Sequence, residues 1–215
     1  MRVYSISISD FKESYEMKFA EPQTTQSEDT ESKKPEEPMS ERFLKTRTVL
    51  LVGEVEKELS EKVVRQLLLL DSISEEPITL LIDSPGGDVY AGFSIFDVIR
   101  FINAPVKIVG IGLVASAAAL ILLAVPKDRR FGLPNSAYLI HQPLSGMNGV
   151  ATEIEIHARE LEKTRARINE IIAEATSQPL EKITKDTDRD FWMNAAESTE
   201  YGLIGKVVSS KKDLL

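Results

Sequence analysis

Val106-Lys107-Ile108-Val109-Gly110-Ile111-Gly112 runs without interruption into Leu113-Val114-Ala115-Ser116-Ala117-Ala118-Ala119-Leu120. The first seven residues are β-branched or glycine with a single lysine, which predicts a buried strand over 106–112. From Ser116 to Leu123 small and aliphatic residues predict a buried helix. The apolar run over 111–125 is shorter than the ~20 residues a membrane-crossing helix needs, so a strand followed by a helix is the better reading. Working outward, the same alternation recurs. Residues 48–52 read as a strand ending at Gly53. Residues 58–70 read as a helix, with Leu59, Val63, Leu67 and Leu70 on one stripe. Residues 77–82 form a predicted strand that Ser84-Pro85-Gly86-Gly87 breaks. Residues 90–101 are helical, and 138–140 make a short strand ending at His141. Strand and helix in alternation predict an α/β fold of repeated β-α units around a largely parallel sheet. Ligands gather beyond the carboxyl ends of such strands. Gly87, Ser116 and His141 each follow a predicted strand.

The flanks differ. Residues 3–9 alternate apolar and polar and read as a short strand. Residues 21–42 are rich in Glu, Pro, Ser, Thr and Lys with little to bury, which predicts a largely flexible, acidic extension over 1–42 ahead of a folded domain over 43–215. Residues 152–174 predict a long charged helix. Thr152 and Glu155 have capping-box spacing, and Ile154, Leu161, Ile168, Ile171 and Ile172 form a narrow seam among Glu-Lys and Glu-Arg pairs. So polar a helix is expected to project and pack on a second subunit. His157, on that helix, is expected to be exposed.

Composition narrows the function. The 215 residues contain no cysteine and two histidines, and the net charge is -8. Disulfides, thiolate catalysis and cysteine-based zinc sites are excluded, and two histidines make a multi-histidine metal site an unpromising reading, so no metal is expected. The acidic balance disfavours nucleic acid as a partner. With neither a secretory leader pattern nor a spanning segment in view, no membrane association and a cytoplasmic location are expected.

The chemistry-bearing residues are Ser116, His141 and Asp190. A serine hydroxyl keeps its proton at neutral pH and needs a base to attack. Imidazole can take that proton, and a carboxylate can orient the imidazole and stabilise the imidazolium. The resulting oxyanion needs donors. Gly86-Gly87 allows backbone amides to approach a substrate, and the amide of Ala117 can aim at the same place. Taken singly, each residue has an ordinary structural explanation: close packing, a turn, a satisfied histidine, a helix cap.

Together the motifs resemble a known family. Ser84-Pro85-Gly86-Gly87, Ala115-Ser116, Arg130-Phe131-Gly132-Leu133-Pro134-Asn135-Ser136, Ile140-His141-Gln142-Pro143, Ile154-Glu155-Ile156-His157-Ala158-Arg159-Glu160 and Asp186-Thr187-Asp188-Arg189-Asp190 are similar, in order and across roughly residues 43–208, to the proteolytic subunit of the Clp protease (ClpP). The resemblance implies a crotonase-like α/β subunit whose helix from Thr152 is the projecting handle between two stacked seven-membered rings, a homo- or hetero-tetradecamer. It implies that Ser116 is the nucleophile, His141 the base and Asp190 the orienting acid, with Gly87 and Ala117 at the oxyanion positions and Asp186 outside the triad. It implies a serine endopeptidase acting on unfolded polypeptides delivered by a hexameric AAA+ unfoldase. ATP is spent by that partner, and this chain needs no cofactor.

Several positions depart from the family pattern. Ala117-Ala118 stand where Met-Gly is usual, which reduces the wall of the specificity pocket. Val150 replaces a glutamine after the handle glycine. Thr79 and Leu81 occupy aromatic positions of the unfoldase-docking pocket, and the usual axial N-terminal segment is not recognisable. These features suit a divergent paralogue that keeps the chemistry while unfoldase docking is weakened or delegated. The alternatives are a weakly active or regulatory subunit of a mixed Clp ring, an acyl-CoA enzyme of the crotonase type, which needs an oxyanion hole but no triad, and a membrane-linked serine peptidase.

Overall fold

The computed structural model describes residues 39–214. The expected strand over 3–9 and nearly all of the acidic extension lie outside the described residues. The order opens with α1 (Met39–Lys45), β1 (Thr48–Val52), α2 (Lys57–Ile73), β2 (Ile78–Ser84), α3 (Val89–Phe101), β3 (Val106–Ala115) and α4 (Ala117–Leu122). It continues with β4 (Arg130–Gly132), β5 (Ala137–Ile140), α5 (Ala151–Thr176), α6 (Leu180–Asp186), β6 (Phe191–Asn194), α7 (Ala195–Tyr201) and β7 (Lys206–Val207).

The strands β1, β2, β3, β4 and β7 lie side by side and all parallel, so the predicted fold class holds. β2 shows why a sequence with period two makes a two-faced strand. Ile78, Leu80, Ile82 and Ser84 are buried, while Thr79, Leu81 and Asp83 are half-buried on the opposite face. The buried stripes of α2 (Val63, Leu67, Leu70) and α3 (Phe93, Phe96, Ile99) join the same apolar core as β1 and β2. On the other face Val109, Phe131 and Val208 form a small second cluster with Leu81, Ile111, Leu133 and Leu214 against it.

One strand departs from expectation in a way that builds the site. β3 does not end at Gly112. It continues through Ala115, because Leu113, Val114 and Ala115 pair with Ala137, Tyr138 and Leu139 of β5. Its first half pairs instead with β4, from Ile108 to Gly110. The sheet therefore forks along β3. The Asp83 carboxylate accepts from the Leu113 amide at 2.9 Å at the fork, where the β2–β3 register slips between Ile82 and Ser84. The outer branch ends in β6, antiparallel to β5.

The long helix α5 has two unlike halves. Ile168, Asn169, Ile172 and Thr176 are buried, whereas Ile154 and Ile156 are exposed. The apolar seam thus covers the core only at its C-terminal end, and the N-terminal half presents it to solvent. The expected capping box is absent. The helix starts one residue earlier, Val150 is the N-cap without a side-chain bond, and Glu155 pairs with Arg159. His157 is half-buried rather than exposed, its Nε2 2.7 Å from Ser145 Oγ. No described helix is long and apolar enough to cross a membrane.

Candidate active site

β3 ends at Ala115 and α4 begins at Ala117, which leaves Ser116 alone in the turn with φ 55° and ψ -121°. A left-handed φ costs a non-glycine residue about 1–3 kcal/mol. Bonds on both sides of the turn hold it there. Ser116 N donates to Leu139 O at 2.9 Å, and Leu120 N donates to Ser116 O at 3.2 Å. Ser116 occupies the N-cap position of α4 but makes no cap bond with its side chain. Its Oγ lies instead 2.8 Å from His141 Nε2.

His141 follows β5 directly, on the same edge of the parallel sheet as Ser116. Its Nδ1 lies 3.0 Å from Asp190 Oδ1. Asp190 immediately precedes β6, a strand the sequence does not announce, and the antiparallel register sets Ile140 opposite Phe191. His141 and Asp190, 49 positions apart, are thus delivered to one point by a ladder one residue away. The imidazole is 15 % exposed and the Asp190 side chain 62 %. In so open a position water screens the charge of the carboxylate, and what the contact can do is orient the ring.

Gly86 and Gly87 have φ of 92° and 145°. They are held by a parallel bridge to Val55, in which Val55 N donates to Gly86 O and Asp88 N donates to Val55 O, both at 2.7 Å. That pattern leaves the Gly87 amide out of the bridge. Ala117, the first residue of α4, has no carbonyl one turn back for its own amide. Within the Gly86-Gly87 pair the sequence points to Gly87 as the oxyanion donor and gives Gly86 no separate role. A Cβ on Gly86 would stand 3.0 Å from Ala117 N, so Gly86 is the residue that lets the two segments touch. Its signal was the adjacent pair of glycines after a strand. Beside Ser116 lies a small apolar pocket lined by Val89, Ala117, Leu120, Ile140, Ile168 and Ile172.

Asp186, separated from the triad in the sequence reading, lies apart. It accepts from Tyr201 Oη at 2.8 Å and pairs with Lys182 at 2.7 Å. Burial first, then this carboxylate, pushes the Tyr201 hydroxyl above its ordinary range. Thr79 and Leu81 sit half-buried on the sheet face away from α2 and α3, and Val150 is exposed.

A hydroxyl, an imidazole and a carboxylate in one hydrogen-bonded line, beside two spare backbone amides, can carry nucleophilic acyl transfer. The family model described as Clp protease matches residues 31–211. The chain belongs to the Clp protease family. It is 64% identical over 177 residues to the ATP-dependent Clp protease proteolytic subunit 2 of Treponema denticola, covering 82% of this chain and 88% of the relative. The proteolytic subunit 2 of Treponema pallidum is 56% identical over 191 residues, covering 88% and 96%. Among solved structures, a ClpP1 point mutant from Listeria monocytogenes matches with a TM-score of 0.78 at 49% identity, covering 83% of this chain and 100% of that one. The crotonase-like ClpP architecture is therefore the fold of this Clp family member.

Proposed function

We propose that this chain is the proteolytic subunit of an ATP-dependent Clp protease and hydrolyses peptide bonds as a serine endopeptidase. The observation that carries the reading is the relay Ser116–His141–Asp190, with links of 2.8 and 3.0 Å. Ser116 Oγ attacks the scissile carbonyl carbon while its proton passes to His141 Nε2. The amides of Gly87 and Ala117 receive the oxyanion, each such donor being worth about 10²–10³ in turnover. As the tetrahedral intermediate collapses, the C–N bond breaks and His141 returns the proton to the leaving amine. Water, activated by the same imidazole, then releases the acyl group from Ser116. Asp190 holds the ring in the tautomer that leaves Nε2 free to accept. None of these steps calls for a metal or nucleotide from this chain.

Membership in the family supports assembly into stacked heptameric rings, of this chain alone or mixed with a paralogue. The handle α5 with exposed Ile154 and Ile156 would lie between the rings. A hexameric AAA+ unfoldase would supply unfolded polypeptide and spend the ATP, in the cytoplasm. Thr79 and Leu81, where aromatic residues are usual, favour a ring that leaves part of the unfoldase docking to a partner ring.

Fluorophosphonate labelling joined to peptide turnover tests the reading. Label is expected on Ser116, and Ser116→Ala should lose both label and turnover. A protein that neither labels nor cleaves, alone or mixed with its paralogue, would leave a structural or regulatory subunit as the better account. Turnover of an acyl-CoA substrate that survives Ser116→Ala would point to crotonase-type chemistry instead.

A further inference from the structure

The buried apolar residues of α2 to α7 all belong to the main core, and among the described residues no α-helix contributes to the small cluster on the opposite face of the sheet. On that face the strand register lines up Leu50, Leu81, Val109 and Phe131 across β1, β2, β3 and β4. A sheet face left to water does not usually carry an apolar row four strands wide, and such a patch marks an interaction site. Exposure is graded along the row. Leu50 is 40% exposed and Leu81 half-buried, whereas Val109 and Phe131 are 2% and 9% exposed. The row is covered at the end where Val208 and Leu214 pack.

Leu214 belongs to Lys211–Leu214, a single helical turn in which no residue is fully buried. The turn is held together from within. The Asp213 carboxylate accepts from the amides of Ser209 and Ser210 at 3.1 and 2.9 Å, and Asp213 N donates to Ser210 O at 3.0 Å. What ties it to the sheet is the half-buried Leu214 side chain on the apolar row and a hydrogen bond from Lys107 Nζ to Leu214 O. Half-burial of one leucine favours the seated position by only about three- to tenfold. The side chains of Ser209, Ser210, Lys211, Lys212 and Asp213 are already exposed. A turn that keeps its own bonds when lifted, and is fastened by so little, can leave the sheet without unfolding anything else.

We propose that Lys211–Leu214 is a releasable cap on an interaction surface, and that this surface takes a short apolar peptide segment of a partner protein in the place of Leu214. The cap itself displays the chemistry of the ligand: an aliphatic side chain for Leu81, Val109 and Phe131 and, beside it, a backbone carbonyl for Lys107. Leu50 and Val52, 40% and 52% exposed on the same face of β1, extend the surface past the covered end. An incoming segment therefore finds a first foothold before Leu214 leaves. Nothing in this inference depends on Ser116 being a nucleophile.

The test is the binding of anilinonaphthalenesulfonate, an apolar fluorescent dye, to the full chain, to a chain ending at Ser210 and to Leu214→Ser, each well below its melting temperature. A surface that is free only part of the time binds with an affinity reduced by that fraction. Removing the cap should therefore tighten the apparent Kd for the dye by roughly three- to tenfold. Leu214→Ser, which keeps the bonds inside the turn, should do nearly as much even if the shortened chain folds poorly. Leu81→Asn in the Leu214→Ser background should cancel the gain. A synthetic peptide with the sequence of residues 210–215, at the millimolar concentration that matches a tethered segment, should displace the dye from Leu214→Ser, and the same peptide with serine for its two leucines should not. Parental dye affinity in both the shortened chain and Leu214→Ser would overturn the proposal. So would a gain that Leu81→Asn leaves intact, or one that the leucine peptide does not compete away.

Discussion

Gly86 lies so close to Ser116 that a Cβ on Gly86 would stand 2.7 Å from Ser116 Cβ and 2.6 Å from Ala115 O. Its φ of 92° already favours glycine. Strain and collision fall on the turn that holds Ser116 in its own left-handed conformation. Gly86→Ala is therefore expected to displace the turn and cost about 1–3 kcal/mol of stability. It should also suppress Ser116 labelling by more than the lost stability explains. Labelling rate measured well below the melting temperature separates the two effects. Parental labelling there would refute the close contact.

Asp190→Asn keeps the shape of the side chain and one hydrogen bond but lets the amide donate to His141 Nδ1. That favours the tautomer with Nε2 protonated, which cannot accept the Ser116 proton. The turnover of peptides should fall by roughly 10³–10⁴-fold with KM little changed. The fold should be unaffected, because the carboxylate is largely open to water. Steady-state kinetics and a thermal melt on the same sample check both halves. A comparable loss confined to KM would mean that Asp190 binds substrate instead.

Tyr201 and Tyr138 give the protein an alkaline signature. Burial raises both hydroxyls above their ordinary range, with Asp186 adding to the effect at Tyr201 and Ser136 opposing it at Tyr138. In the unfolded chain each would ionise near ~10. Above that pH the folded state holds more protons than the unfolded one, so stability is fully present below the unfolded value and is lost as pH rises beyond it. Phenolate absorbance should show these two tyrosines titrating only as the fold is lost, with denaturant midpoints falling from about pH 10 upward. Tyr201→Phe should flatten part of that fall. Ionisation of all tyrosines in one native step would contradict the burial of both hydroxyls.

The sequence revealed the site unevenly, and the reason is physical. β1, β2, α2 and α3 carry periodic apolar residues that one face must bury, so their pattern is local and readable. Ser116 and His141 each stand at the end of such a strand and were legible for that reason. β6 was not: Phe191-Trp192-Met193-Asn194 is four residues long, with Trp192 exposed and Met193 buried. It is a strand only because β5 lies beside it. Asp190 could be named through the family motif but not through periodicity. β4 and β7 are similarly short and are defined by their neighbours. The capping box at Thr152 failed for a related reason: the spacing was right, but the helix begins at Ala151, so Thr152 falls inside it. A hydrogen bond joins Thr187 to Asn169, 18 positions apart, and no local pattern announces it.

Arg130 offers a test of how the sheet is fixed to the helices that carry the site. It is only 2% exposed. Its Nη1 donates to Gly202 O at 3.3 Å and to Leu203 O at 3.2 Å, and its Nη2 donates to Ala175 O at 2.7 Å. One guanidinium thus joins β4 to the ends of both α5 and α7. Burial lowers its pKa to about 10, with Asp128 opposing the shift, so the cation persists at neutral pH. Arg130→Met would leave three carbonyls without their donor and should cost about 2–4 kcal/mol. For a chain of this size that is a fall of roughly 4–16 °C in Tm. Arg130→Lys should recover little of it, because a single ammonium lacks the planar fork that reaches both helix ends. If lysine restored the melting temperature fully, charge rather than the three-way bridge would be what holds α5 and α7 to the sheet.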